Sequence, residues 1–199
     1  MLVYLWKSFK IKRLIKKLSV MQKNRIHNQQ TDEKLNKEKK IYHQLATIYS
    51  KLEGKKRFPF ARESKLACYR AAGMIDDVGA QFTLGQECLN EAKYRQGLEN
   101  GGVFASQNNV RTMNQLFEEA HAFLLSAEKL GHVVAKRTRG VCYINGWGVK
   151  EDKSFGFELV VASIQQENSW DKVPQIFASI GLNKPEFFSA LTQARNKSF

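Results

Sequence analysis

Residues 127 to 152 read AEKLGHVVAKRTRGVCYINGWGVKED and carry the clearest structural pattern in the chain. The apolar spacing predicts two helices separated by Gly131, because glycine readily adopts the left-handed backbone that ends a helix. Gly146 and Gly148 then allow a tight turn, and Asp152 is a suitable cap for a further helix. This stretch therefore predicts a pair of short helices followed directly by a third.

Outward from this stretch, the same signals predict an all-α chain with no strand. Among the 199 residues are only 3 prolines, and 43% of the residues are hydrophobic, which is typical of a folded globular protein. Asp76 or Asp77, Asp171 and Asn183 are expected helix caps, and Pro185 fits a first helical turn. The expected helices run over about 33–52, 59–72, 77–90, 110–130, 133–145, 152–166, 171–180 and 185–196.

A shift of 55 residues aligns two parts of the chain without a gap. Four of the seven matches are alanine or glycine. Small residues are what a close crossing of two helices requires. The aligned pairs are Glu63 with Glu118, Ala67 with Ala122, Ala72 with Ala127, Val78 with Val133, Ala80 with Ala135, Gly85 with Gly140 and Asn90 with Asn145.

The glycine turn, in the order Gly146, Gly148, Val149, Asp152, resembles the Sel-one-like repeat, a branch of the tetratricopeptide-like helical repeats. The resemblance covers about residues 40–167 and implies three stacked helical hairpins in a short α-solenoid. Three positions depart from the family pattern, namely Arg139, Cys88 and Gly156. The positions that the resemblance makes structural are Ala72, Ala80, Gly85, Ala127, Gly131, Ala135, Gly140, Tyr143, Gly146, Gly148 and Asp152.

Relative to the glycine turn of that resemblance, the first copy is about nine residues longer. The region 91–109, which includes the Gly- and Asn-rich stretch 98–109, is therefore predicted to be an inserted loop. Aromatic residues and arginine are enriched at binding hot spots. We therefore predict a partner site at the rim of the fold that includes Tyr94, Arg95, Phe104 and Trp147. In the alternative, Tyr94 extends the preceding helix, Phe104 fills the core, and Trp147 folds back over the neighbouring hairpin.

The positive charge is concentrated near the N-terminus. The net charge is +13, and residues 1–31 contain eight Lys/Arg with no Asp or Glu. On a helix, Ile11, Leu14, Ile15 and Leu18 share one face and the basic residues the other. The expected anchoring residues are Trp6, Lys10, Lys12, Arg13, Lys16 and Lys17.

This basic arm has four interpretations. It binds an anionic membrane surface or docks on a partner, it is a mitochondrial presequence, it contacts nucleic-acid phosphates, or it caps the helical repeats. The expected domains are an arm and linker (1–31), a helical-repeat domain (32–167) and a C-terminal capping pair (168–199).

No residue pattern predicts an enzyme, a cofactor or a metal site. The four histidines lack metal-ligand spacing, and the three cysteines, Cys68, Cys88 and Cys142, lack a CxxC motif. Cys142 is expected to be a buried, inert thiol. Together with the resemblance, this favours a non-enzymatic adaptor or scaffold that binds other proteins through concave and rim surfaces. The alternative is an accessory subunit of a secretion machine or ribonucleoprotein. The expected location is cytoplasmic and possibly membrane-associated, with the mitochondrion as the alternative.

Overall fold

The computed structural model describes residues 2–25, 31–102 and 105–196, and all regular structure within them is helical. The chain divides into two compact units, Met1–Leu84 and Gly85–Phe199, with the division inside the fourth helix. The α-helices are α1 (Leu2–Arg25), α2 (Asp32–Ser50), α3 (Ala61–Gly73), α4 (Val78–Asn100), α5 (Gln107–Lys129), α6 (Val133–Asn145), α7 (Lys153–Gln166), α8 (Val173–Ser179) and α9 (Pro185–Asn196), with a 3-10 turn at Trp170–Lys172 before α8.

In the first unit, α2 packs against α3, and α1 packs against α2. The amphipathic pattern of α1 explains its position, because Ile11 and Leu18 are buried in the same core as Leu45 of α2. The Gln22 amide also donates to the Tyr42 hydroxyl over 2.9 Å. Ile15, expected on the buried face, is instead 48% exposed. One face of α1 is therefore packed onto the first unit.

In the second unit, α6 packs against both α5 and α7. A Cβ atom on Gly140 would lie 2.5 Å from the carbonyl oxygen of Gly156, and one on Gly156 would lie equally close to that of Gly140. The two helices therefore cross backbone to backbone, which leaves no room for a side chain at either glycine. The C-terminal helices close this unit with a cluster of buried side chains that includes Val160, Ile164 and Phe177.

The helix boundaries follow their local signals closely. The predicted range 133–145 is the range of α6, and the Asp152 carboxylate caps α7 by accepting from the backbone N–H of Phe155 at 2.9 Å. Gly131 and Gly146 have positive φ angles of 89° and 67°, as their predicted roles require. Asp171 is not the expected cap, because it lies inside the 3-10 turn.

The predicted inserted loop is wrong in its position. The helix that was expected to end near Asn90 continues as α4 to Asn100, and α5 already begins at Gln107. The positive φ of 68° falls on Gly102, just after the last residue of α4. The nine additional residues therefore lengthen a helix by about two and a half turns instead of forming a loop.

Candidate partner-binding groove

A groove of about 770 Å³ opens on the surface of the second unit, and we call it the Trp147 groove. The part of α4 after Gly85, the helix α6, the glycine turn and the segment from α8 to α9 line it. The residues that offer polar groups to it are Gln86, Asn90, Lys93, Thr138, Asn145, Glu151, Lys153, Lys184 and Glu186. Such a mixture of amides and charges of both signs suits a polypeptide, whose backbone presents donors and acceptors together.

Trp147 and Phe187 are the aromatic residues that line this groove, and hydrogen bonds fix the backbone of Trp147. Its N–H donates to the Cys142 carbonyl at 2.9 Å, and the N–H of Gly146 donates to Tyr143, so α6 ends in a Schellman motif. The next residue must be glycine, because a Cβ on Gly148 would overlap the backbone of Phe117 in α5. The turn is therefore locked onto α5, and Trp147 has a fixed place beside it.

The indole ring of Trp147 is fixed as well. It stacks on the Phe117 ring at 5.7 Å between centroids with the planes 1° apart, and the Lys93 ammonium lies 4.9 Å from its centroid. The side chain remains partly exposed, so part of the ring stays available to a ligand. Trp147 thus folds back onto α5 and also lines the groove.

Tyr94 and Arg95, two of the other predicted partner residues, do not line the Trp147 groove. Tyr94 lies on α4 and is 64% exposed, so it extends the helix, as the alternative interpretation had it. Arg95 also lies on α4 and binds the side chain of Asn109 at 3.0 Å, and it pairs with Glu91 at 3.1 Å. This arginine joins α4 to α5. Phe104 lies outside the described residues. Whether any of the four contacts a partner stays a prediction.

Several groove residues were missed by the sequence analysis. The helical spacing i, i+4 and i+7 places Gln86, Asn90 and Lys93 on one face of α4. This spacing is visible in the sequence and could have identified the three residues as one surface. Lys184 lies far along the chain from these residues, and only the tertiary packing of the C-terminal segment brings it to the groove.

Buried polar residues of α6 fix this helix to both neighbours. The Arg139 guanidinium pairs with Glu128 of α5 at 2.8 Å, and Arg137 binds Ser163 and Glu167 on the side of α7. Burial and the nearby charge of Arg139 lower the pKa of His121, which packs edge-on against Tyr143 at 5.4 Å. Arg139 is therefore half of an ion pair between two helices.

The cysteines behave as the sequence analysis expected of a buried thiol. Burial raises the pKa of Cys142 to about 12 and that of Cys68 to about 11, so neither is a thiolate at neutral pH. Within the described ranges, no group of three or more His, Cys, Asp or Glu side chains is placed to hold a metal ion.

Most of the predicted anchoring residues of α1 lie on its outer side. Trp6 is 60% exposed, and Lys12, Arg13, Lys16 and Lys17 are exposed as well. Lys10 is partly buried, with its ammonium 5.0 Å from the centroid of the Trp6 ring. Over residues 2–25, 31–102 and 105–196, none of the helices combines the length and apolar content needed to cross a membrane.

The chain matches no protein-family model, and neither a curated protein nor a solved structure matches it significantly.

Proposed function

We propose that this protein is a non-enzymatic adaptor of the tetratricopeptide-like kind, with hairpins similar to Sel-one-like repeats. It binds a segment of another protein in the Trp147 groove, and α1 anchors it to a further surface. The observation that carries the proposal is the fixed and partly exposed Trp147 ring beside Lys93 in a polar groove. Preorganised aromatic residues of this kind are frequent binding hot spots, because little side-chain entropy is lost on binding.

The lining of the groove supports a peptide ligand in particular. The Asn145 amide donates to Val141 O at 2.8 Å, and its oxygen remains at an exposed position. The Lys153 ammonium and the Glu151 carboxylate pair at 3.3 Å, and both side chains are exposed. Separating them to bind a ligand therefore costs little free energy. An extended segment with polar and charged side chains would find complementary groups along this lining.

Site-specific photo-crosslinking in the native cell tests the proposal. A photoreactive residue at Asn90 or Asn145 should give discrete crosslinks to one partner or a few. The same residue at Met74, which is 86% exposed in the first unit, serves as the control position. Trp147→Ala should remove the crosslinks by weakening binding about tenfold or more. Equal crosslinking from all three positions, or none from the groove, would exclude the Trp147 groove as the partner site.

A second candidate is an accessory subunit of a large assembly whose basic arm contacts protein or RNA. The exposed basic residues of α1 favour it. Sedimentation of native extracts distinguishes the two candidates. An accessory subunit should migrate with a large particle, and ribonuclease should release it if RNA is the contact. An adaptor should follow the partner that is crosslinked at the Trp147 groove.

A further inference from the structure

A second, smaller groove lies in the first unit between α1 and α2. It has a volume of about 350 Å³ and is lined by Trp6, Lys7 and Lys10 of α1, by residues of α2, and by Lys51. The α2 residues include Gln44 and Thr47, which add an amide and a hydroxyl group. The groove thus brings three ammonium groups and neutral hydrogen-bonding groups together, and its lining contains no carboxylate side chain.

A set of exposed apolar side chains adjoins this groove. Leu5, Trp6 and Phe9 are 61%, 60% and 68% exposed, respectively. The spacings i, i+4 and i, i+3 place them side by side on the outer face of α1. Trp6 belongs both to this set and to the lining of the groove. Large apolar side chains that cluster in the open commonly mark an interaction site.

We propose that these two features form one surface, the α1 surface, which binds the interface of an anionic phospholipid membrane. Leu5, Trp6 and Phe9 enter the boundary between headgroups and acyl chains, and a lipid phosphate occupies the groove formed by Lys7, Lys10 and Lys51. The inference deepens the anchoring part of the proposed function, on which it rests, by naming the partner of α1.

Charge complementarity selects this partner. Residues 1–31 hold eight Lys/Arg and no acidic residue, so a second copy of the same surface would meet it with like charge. RNA would satisfy the lysines, and its bases can stack on Trp6 and Phe9, but it offers no apolar phase into which Leu5 could insert. An anionic bilayer offers both, because phosphates attract the lysines while the interface accepts aliphatic and tryptophan side chains.

The opposite face of α1 determines how the surface is presented. Ile11 and Leu18 stay buried against α2, so α1 binds as part of a folded unit and not as a free peptide. Farther along the same helix, Lys12, Arg13 and Lys16 are exposed. They lie within reach of neighbouring headgroups when Phe9 is inserted, and they add to the attraction.

Vesicle flotation of the full chain tests the inference. Vesicles with about a third phosphatidylglycerol in phosphatidylcholine should bind the protein, and phosphatidylcholine alone should bind it only weakly. The double variant Lys10→Glu/Lys51→Glu should bind the anionic vesicles about tenfold less tightly or worse. The control Lys129→Glu/Lys150→Glu carries the same net charge on exposed positions of the second unit and should lose less than about threefold. Trp6→Ala/Phe9→Ala, with all charges kept, should also lose about tenfold or more.

The same variants define the results that would overturn the inference. The inference is overturned if the two charge variants lose vesicle binding equally, or if Trp6→Ala/Phe9→Ala binds anionic vesicles as tightly as the wild type. It is also overturned if the wild type binds neutral vesicles as tightly as anionic ones. Full competition by soluble glycerol phosphate would identify a free phosphate ligand instead. Tighter binding to RNA than to vesicles, or a dimer in their absence that Trp6→Ala/Phe9→Ala dissociates, would identify another partner. Trp147→Ala should keep vesicle binding, so failure here and failure at the Trp147 groove are distinguishable.

Discussion

The two segments related by the 55-residue shift begin alike and end differently. In each segment, a residue with positive φ is followed by a residue whose side chain caps the next helix, and a fully buried alanine lies three positions after the cap. These residues are Asp76, Asp77 and Ala80 in the first segment and Gly131, His132 and Ala135 in the second. The caps accept the alanine N–H at 2.7 and 3.1 Å. Different residues thus build the same helix start, because the geometry of the cap needs only an acceptor at the right place.

The helix ends show what sets the length. After Gly140, α6 continues for five residues and ends at the left-handed Gly146. After Gly85, α4 continues for fifteen residues and ends just before the left-handed Gly102. The intervening residues are mostly good helix formers, and the single Gly97 among them does not end the helix. The position of the terminating glycine, and not the length of the repeat, decides where the helix ends.

The largest expected effect concerns the glycine turn that follows α6 in the second segment. Gly148→Ala should destabilise the protein by more than about 4 kcal/mol, because the left-handed backbone is strained for alanine and the new Cβ overlaps Phe117. Gly131→Ala is the matched control, since its φ of 89° is also positive but nothing lies within 4 Å. It should cost about 1–2 kcal/mol in urea unfolding. Equal losses would show that the contact between the turn and α5 is not close.

The next effect compares the two helix crossings. Gly140→Ala should cost about 3 kcal/mol, because the new methyl group meets the backbone oxygen of Gly156 and the helices must separate. Gly85→Ala should cost less, about 1–2 kcal/mol. The nearest atom there, at 2.8 Å, is Cγ of the buried Leu124 side chain, which must shift, but the nearest backbone atom lies at 3.3 Å and alanine improves helix propensity. Denaturant midpoints of both variants measure the difference, and the reverse order would contradict the backbone crossing of α6 and α7.

A smaller effect tests the additional turns of α4. Arg95→Ala should cost about 1–2 kcal/mol, because the largely buried Asn109 loses the donor to its side-chain oxygen. Its neighbour Tyr94 is largely exposed, and Tyr94→Ala should change stability by less than about 0.5 kcal/mol. If crosslinking at the Trp147 groove falls in Tyr94→Ala while thermal stability is kept, the rim prediction for this residue gains direct support. If Arg95→Ala is as stable as the wild type, the contact between the last turns of α4 and the start of α5 does not stabilise the fold, which would contradict this assignment.

The smallest effect concerns pH and the cap of the second segment. Burial lowers the pKa of His132, whose Nδ1 accepts the Ala135 N–H. The unfolded chain therefore binds the proton more readily, and this contribution to stability is lost as pH falls below about 6.5. Thermal midpoints between pH 7 and 5 should fall less steeply in His132→Asn, which keeps a cap without the titration. The cap variant Ser106→Asn should keep the wild-type slope, and an unchanged slope in His132→Asn would contradict this assignment.

The candidate sites were less predictable than the helices. Trp147 was identified from its place in the glycine turn, and the helical spacing of Gln86, Asn90 and Lys93 was open to inspection. Arg95 was assigned to a loop because nearby glycines and asparagines suggested one, although its own neighbours form a helix. Phe104 lies outside the described residues, so its assignment stays a prediction. A side chain's type indicates what it can bind, but its neighbours decide whether it is already engaged.

The sequence by itself determined that the chain is helical, where most helices begin, and which glycines adopt a left-handed backbone at helix ends. These depend on neighbours within about four residues, and the caps and left-handed glycines are local in this sense. Only the tertiary structure decided that Ile15 is exposed while Ile11 is buried, that Arg139 pairs with Glu128, and that α1 and α2 form a cationic groove. Such outcomes depend on which surfaces meet after the helices have formed. Helical periodicity defines a face of a helix, but the packing of the neighbouring helix determines how much of that face is covered.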